Sequence, residues 1–523
     1  MHSAMAIGVS GALPAAGAAG EGTQPPAPAA PEPVLPFVTS PVDIGGRAQL
    51  FVDQSLVRSV ENVWFAPVPA RKHRANPLLK NDRPWEGWRL ELFGSVLYDA
   101  EEKLFKMWYL AAPSDYWDDY TTAYAVSKDG IRWDKPPVGT LAAKNGKAGH
   151  NLVCDAYLGV IKDADDPDPA RRYKGVGFHP KTGGYVSYVS ADGLNWNRYS
   201  EGKVVPGRDC ITFYYDRRAK LYVTQAKIEQ PIPNLPHKRR AFYLSVSADF
   251  KNWSPQKLSF ASDPRDDAGT FGRVERSRAS MDVPDDPSLM RTEFYNLGFH
   301  QTESGALAFP WVFSVSARAR YDRNNQEGPG EIQMASTRDL LNWERPFRTP
   351  IVPRGSEGEW DSGFFTTAYE TVTVGDEVRL YYSGGNYTHG TPVLYRDQVD
   401  GVSTGRGTKY HCWIGLASWQ RDRFAAACSG SDGGYVETVP VVFSGSRCEV
   451  NAATTGAGGS VVVEIWDAVG ARRLARSRAI SGDDLRHRAR WEGEADVAAL
   501  AGTPVTLRFR LKKARLFAFA FRP

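Results

Sequence analysis

Ser190-Ala191-Asp192-Gly193-Leu194-Asn195-Trp196 is one of four related turns whose reading decides the fold. The others are Ser127-Lys128-Asp129-Gly130-Ile131-Arg132-Trp133, Ser247-Ala248-Asp249-Phe250-Lys251-Asn252-Trp253 and Ser336-Thr337-Arg338-Asp339-Leu340-Leu341-Asn342-Trp343. In each copy a tryptophan follows four residues after the aspartate, and the copies spread over more than two hundred residues. Each follows a β-rich run such as Thr122–Val126 or Gly184–Val189, so each reads as the turn joining the last two strands of a small antiparallel sheet. The aspartate accepts hydrogen bonds from turn amides, glycine supplies positive φ where present, and the tryptophan offers a flat apolar plate to a neighbouring sheet. These residues are therefore structural, and the chain is a series of repeated sheets.

Working outward from the turns yields five sheets. The first contains Glu91–Asp99 and Leu104–Leu110, the second Asn151–Cys154 and Arg172–Phe178, and the third Asp209–Asp216 and Leu221–Gln225. The fourth contains Thr292–Gly298 and Ala306–Phe313; the fifth runs from Tyr369 through Val378–Tyr382 to Trp413–Ala417, with Asp422-Arg423-Phe424 replacing the usual turn. The expected fold is all-β: a five-bladed β-propeller over residues 39–428, followed by a β-sandwich over residues 429–523. A propeller ring is commonly closed by a strand from the other end of the chain, and Gln49–Asp53 is the candidate. Residues 1–38 read as a signal or disordered segment with a Pro/Ala-rich linker, although His2 is the sole basic group ahead of the apolar part. On this reading the protein is secreted or periplasmic, and monomeric.

Composition narrows the function classes. The formal net charge is +4 over 523 residues, with no basic stripe, P-loop or zinc-finger spacing, so nucleic acid is not an expected partner. No stretch is apolar for long enough to span a bilayer, so no membrane is expected either. The five cysteines lack CxxC spacing, which leaves room for one bridge among Cys412, Cys428 and Cys448. His150, His300, His389 and His411 are dispersed, so neither a catalytic metal nor an organic cofactor is expected. A structural calcium in the central channel stays open.

The Ser-x-Asp-Gly-x-x-Trp turns, Gly358-Glu359-Trp360-Asp361-Ser362-Gly363 and Leu380-Tyr381-Tyr382-Ser383-Gly384-Gly385 give residues 45–424 a resemblance to the five-bladed propeller glycosidases. That superfamily includes glycoside hydrolase families 32, 43 and 68. The trailing sandwich is similar in placement to that of family 32. The turn is also related to the Asp-box of sialidases, which carry one more residue between Asp and Gly, a sixth blade and an arginine triad.

The resemblance implies a funnel where the innermost strands begin, a carbohydrate substrate such as a furanoside, and glycoside hydrolysis by paired carboxylates. The carboxylates at innermost-strand starts are Asp209, Glu293 and Glu91. Arg208-Asp209 resembles the Arg-Asp pair of family 32, with Cys210 where that family has proline. Glu293, set among aromatic residues expected to raise its pKa, is assigned the acid role. Glu91 is favoured as base or nucleophile beside Arg89, with Glu86 and Asp53 as alternatives. Asp209 and Glu293 stand on later blades than the family pattern has them. Arg208, Trp85, Trp88 and Trp117 are the expected substrate-binding residues, and Tyr116 and Tyr120 share the tryptophans' loops. A carbohydrate-binding propeller without turnover is one alternative; a glycoside phosphorylase, which needs a basic phosphate pocket in the funnel, is another.

Overall fold

The computed structural model describes residues 40–111, 120–141, 149–179, 182–281, 285–318, 326–390, 410–493 and 496–523. Five antiparallel sheets follow one another along the chain. Blade one comprises Leu90–Asp99, Leu104–Ala111, Thr121–Ser127 and Leu152–Cys154; blade two has Tyr157–Lys162, Tyr173–His179, Gly184–Ser190 and Asn197–Arg198. Blade three has Ile211–Asp216, Leu221–Pro231, Lys238–Ser247 and Lys257–Phe260; blade four has Arg291–Gln301, Ala306–Val315, Ala335–Thr337 and Trp343–Glu344. Blade five has Phe364–Thr367, Glu377–Gly385, Cys412–Gln420 and, as its outermost strand, Arg71–Lys72. The first strand of each blade lies against the first strand of the next, and that of blade five returns to that of blade one. The sheets therefore form a closed β-propeller ring around a channel.

The four turns weld the ring together. Asp192 Oδ1 accepts from the Leu194 and Asn195 amides at 2.8 Å each, and Ser190 Oγ accepts from the Gly193 amide at 2.9 Å. Gly130 and Gly193 adopt positive φ, and Phe250 and Leu340 occupy the same left-handed region in the other two copies, at φ 62° and 66°. In the fourth copy Thr337, not the expected Ser336, takes the serine's place, accepting from the Leu340 amide at 3.0 Å. Each turn leans on the preceding blade. The Trp108 indole of blade one donates to the Gly193 carbonyl at 2.8 Å, and the Tyr381 hydroxyl of blade five donates to the Gly130 carbonyl at 2.9 Å. In blade five, Phe424 plays this part against Phe309 and His300, with ring centres 6.2 and 5.0 Å away.

Three expectations about strands are corrected. Leu152–Cys154 is the outermost strand of blade one, and the inner strand of blade two is Tyr157–Lys162. The ring is closed by Arg71–Lys72, paired with Ser418 and Ala417. Gln49–Leu50 instead pairs with Phe519 and Ala518 in the sandwich, where Phe51 packs against Phe65, Phe509 and Phe519; burying that ring decides the placement.

The third correction concerns the domain boundary. Val42–Gly45, Val57–Glu61 and Trp64–Pro67 all pair with sandwich strands, and Ala425–Ser429 lies in a sandwich sheet. The sandwich is thus built from both sides of the propeller in sequence, around a core that includes Ile44, Val436, Val463, Leu507 and Phe521. The five cysteines are free and buried. Among the described residues no helix is long and apolar enough to cross a membrane.

Candidate functional site

At the channel mouth the innermost strands of blades one and four are interrupted by bulges. The register shifts between Glu91 and Ser95, and again between Phe294 and Leu297. A β-bulge re-aims side chains out of the ladder, and here the re-aimed rings of Phe93 and Tyr295 lie roughly parallel with centres 6.5 Å apart. Gly94 permits the first bulge, since a Cβ there would sit 2.2 Å from the Trp108 carbonyl oxygen.

Around Tyr295 the structure gathers all three expected carboxylates. Its hydroxyl donates to Asp209 at 3.0 Å. Lys227, from the neighbouring strand, pairs with Asp209 at 2.7 Å while its ammonium lies 3.3 Å from the Tyr295 ring centre. Arg240 stands over the same ring at 4.9 Å and pairs with Glu293 at 2.5 Å; Arg291 reaches the other oxygen of Glu293 at 2.7 Å. His389 packs on Tyr295 at 4.9 Å and donates from Nδ1 to the Gln326 carbonyl at 2.9 Å. Burial, with Arg240 as the main charge, pushes the His389 pKa down to about 3, so its ring is neutral. Glu91 pairs with Arg89 at 3.3 Å, and Arg89 lies over the rings of Trp88 and Tyr120 at 4.8 and 5.0 Å.

The electrostatics separate the carboxylates. Burial raises the Glu91 pKa, and the neighbouring charge of Asp209 adds to that rise against Arg89 and Lys227. Burial works in the same direction on Asp209, but Lys227, Arg240 and Tyr295 outweigh it and hold Asp209 below the ordinary aspartate range. For Glu293 the expectation was reversed. Burial favours its neutral form, yet the two guanidiniums overcome it and hold its pKa below the usual glutamate value. A carboxylate clamped by two arginines is a poor proton donor; the buried Glu91 is the better one.

The remaining expected residues divide. Trp88 joins the site, half-buried with its ring 5.4 Å from Tyr387. Arg208 is exposed at the lip beside Asp209. Trp85 turns instead into the blade-one core and donates to Asn151 at 2.7 Å. Glu86 is buried as the organiser of its own loop, accepting from Tyr109 at 2.7 Å and pairing with Lys135 at 2.7 Å. Asp53 accepts from Ser55 and pairs with Arg338 at 3.3 Å, so it serves a contact with blade four. Trp117 and Tyr116 lie outside the described residues.

The sequence reading missed Lys227, Arg240, Arg291 and Tyr295. A lysine within Val223-Thr224-Gln225-Ala226-Lys227-Ile228, a run fit for a buried strand, was the visible signal. Among the described residues no group of three or more His, Cys, Asp or Glu is placed to hold a metal ion.

No protein-family description matches the chain, and no curated protein is similar to it in sequence. Among solved structures it is similar to a glycoside hydrolase family 43 arabinoxylan arabinofuranohydrolase from Bacillus subtilis, at 10% identity and TM-score 0.36, over 87% of this chain and 99% of that one. It is similar also to a fructofuranosidase from Schwanniomyces occidentalis, at 10% identity and TM-score 0.35, over 92% and 99%. An N-acetylgalactosamine deacetylase from F. plautii matches at 12% identity and TM-score 0.38, over 70% and 97%. Overlaps of this depth speak to no reaction. The fold assignment rests on the sheets and their cyclic contacts.

Proposed function

We propose that the channel mouth cleaves glycosidic bonds, with Glu91 giving a proton to the leaving oxygen and Asp209 acting as the opposing carboxylate. One arrangement supports this reading: two carboxyl groups close enough to feel each other's charge have their pKa values moved apart, that of Glu91 upward by burial and that of Asp209 downward, against burial, chiefly by Lys227. Glycoside cleavage needs that division of labour, one acid protonated and one carboxylate ionised at the same pH. Glu293 is a positioning residue here. It holds Arg240, whose guanidinium shapes the field at Tyr295 and Asp209.

Phosphorolysis is a second reading favoured by one feature, the four cations Arg89, Lys227, Arg240 and Arg291 around the three carboxylates. Defined oligosaccharides, furanosides included, incubated with and without phosphate distinguish the two, and binding without turnover across the panel overturns both. For the roles, Glu91→Gln should lower turnover of an unactivated substrate by roughly two to four orders of magnitude. Nitrophenyl glycosides need little protonation and should recover much of their rate in that variant, but not in Asp209→Asn. Near-normal turnover of an oligosaccharide by Glu91→Gln removes it from the acid role.

A further inference from the structure

We infer that the outer face of one sandwich sheet, remote in sequence from the channel site, is a docking surface for an acidic polysaccharide. The choice of polysaccharide as the polyanion rests on the carbohydrate reading above. The face itself is built from strand alternation. In Gly434–Thr438, Val505–Lys512, Ser460–Asp467 and Arg473–Arg476, the residues Val436, Leu507, Phe509, Val463, Ile465 and Ala475 point into the core. Their neighbours in each strand therefore point outward, except Leu474, which a bulge turns onto the core while it sets Arg473 opposite Trp466. Cross-strand register sets Glu437 opposite Arg508, Arg508 opposite Glu464, and Glu464 opposite Arg476. Tyr435 faces Arg510, and Trp466 faces Arg473. The segment carrying Trp491 lies along the edge, Trp491 bridging the fully buried Ser477 and packing on the core. Arg478 and Arg490, each next to one of those inward residues, consequently join the outer face.

The charges on this face do not balance. Arg473, Arg476, Arg478, Arg490, Arg508 and Arg510, with Arg58 reaching in from the edge, stand against Glu437, Glu464 and Glu492, an excess of four positive charges. Glu61 and Lys512 on the rim cancel each other. The Glu464 carboxylate, 1% exposed, is shared by Arg473 at 3.2 Å, Arg476 at 3.6 Å and Arg510 at 3.0 Å. A single buried carboxylate cannot neutralise three guanidiniums. Arg473 and Arg510 remain 46% exposed, and Arg478 and Arg490 are exposed with no ion pair to a described residue. Arg508 is held between the rings of Tyr435 and Trp466, at 4.9 and 4.5 Å, which fixes it in the plane of the face.

The five strand rows of this face, at about 4.8 Å spacing, span roughly 20 Å. Arginines spread over several strands suit an extended chain of repeated carboxylates or sulfates better than a small anion, which needs a cradle. Tethered beside the propeller, it would raise the local concentration of polymer at the channel mouth.

The test is binding of the full-length protein to immobilised polygalacturonate, with neutral inulin and single-stranded DNA as comparators. The inference expects binding to polygalacturonate, little to inulin, and strong weakening in about 0.5 M salt, where the Debye length falls to about 4 Å. The double variant Arg478→Ser, Arg490→Ser should weaken binding at least about fivefold, because each lost charge contact removes a screened attraction of the size of RT or more. Arg510→Gln should act in the same direction. Both variants leave the channel untouched, so turnover of a short soluble substrate should be unchanged. Absence of polygalacturonate binding, equal binding by the double variant, or tighter binding to DNA each overturns the inference. A protein that binds polygalacturonate through these arginines but cleaves no glycoside overturns the channel reading alone.

Discussion

The Lys227 ammonium lies 2.7 Å from the Asp209 carboxylate; Lys227 belongs to the blade-three strand Leu221–Pro231, and Asp209 stands just ahead of its partner strand Ile211–Asp216. Only 3% of the Lys227 side chain is exposed, against 28% of Asp209, so a hidden cation holds ionised a carboxylate that still faces the channel.

On the proposed mechanism this pair sets the acidic limb of activity. Asp209 must be ionised, and its pKa lies below the ordinary aspartate value; Glu91 must be protonated, and its pKa lies above the ordinary glutamate value. Activity should therefore rise with pH through the depressed Asp209 pKa and fall through the raised Glu91 pKa, a bell open between them. Lys227→Met removes the main charge holding Asp209 down, so the acidic limb should move to higher pH. The pH profile of kcat/KM checks this. An unmoved acidic limb assigns it to another group.

Glu293→Gln tests positioning against acid catalysis. The amide cannot neutralise Arg240 and Arg291, so kcat should drop by roughly tenfold or more through a displaced Arg240. An activated nitrophenyl leaving group should not restore it, because no proton from Glu293 is in flight. Rescue by that leaving group would return the acid role to Glu293.

Asp99 predicts stability. Its carboxylate is buried between Lys106 at 2.9 Å and Lys162 at 2.7 Å and accepts from Tyr173 at 2.7 Å. Against burial, the bonds from Lys162, Tyr173 and Lys106 hold its pKa well below the ordinary value. A carboxylate depressed on folding adds stability that is present above its unfolded pKa and is lost as pH falls through the folded one. Asp99→Asn should therefore cost about 3 kcal/mol near neutrality, since the buried Lys106 keeps only the half-exposed Glu102 and Lys162 loses its buried partner. The deficit should shrink once the pH falls below about 4. Denaturant titrations at several pH values read both.

Asp422, where the propeller chain enters the sandwich, has the opposite sign. Burial and then the charge of Glu303 lift its pKa to about 6, against Arg421, Arg522 and Arg486. A raised folded pKa contributes stability that is full below the unfolded value and is lost as pH rises through about 6. The left-handed backbone there, φ 60°, suits asparagine. Asp422→Asn should match the wild type near pH 4 and melt a few degrees higher at pH 8. Equal melting curves at both pH values would show that Asp422 does not carry this linkage.

The four aspartate turns were legible in the sequence because their chemistry is local. Asp192 bonds the amides two and three residues ahead, so the whole interaction lies within one short window, as it does for Asp129, Asp249 and Asp339. Strand alternation is equally local, and it was enough to separate the sandwich strands after Ser429 from the blades. The carboxylates at strand starts were legible too, because position in a blade places Glu91, Asp209 and Glu293 at one end of the ring.

Tertiary structure alone decided the rest. Arg71–Lys72 closes the ring with two residues, too few to show any period, and Gln49–Leu50 went to the sandwich because Phe51 finds its aromatic partners there. The protonation of each carboxylate was hidden for a different reason. A pKa sums burial and every nearby charge, and the charges that matter come from distant points of the chain: Lys227 for Asp209, and Arg240, 53 positions before Glu293, for the other. Phe294 and Tyr295 follow Glu293 directly, but the groups that touch its oxygens are guanidiniums, one from Arg291 two residues before it and one from the distant Arg240. Local hydrogen bonding is written in consecutive residues, whereas an electrostatic field is assembled only when the blades meet.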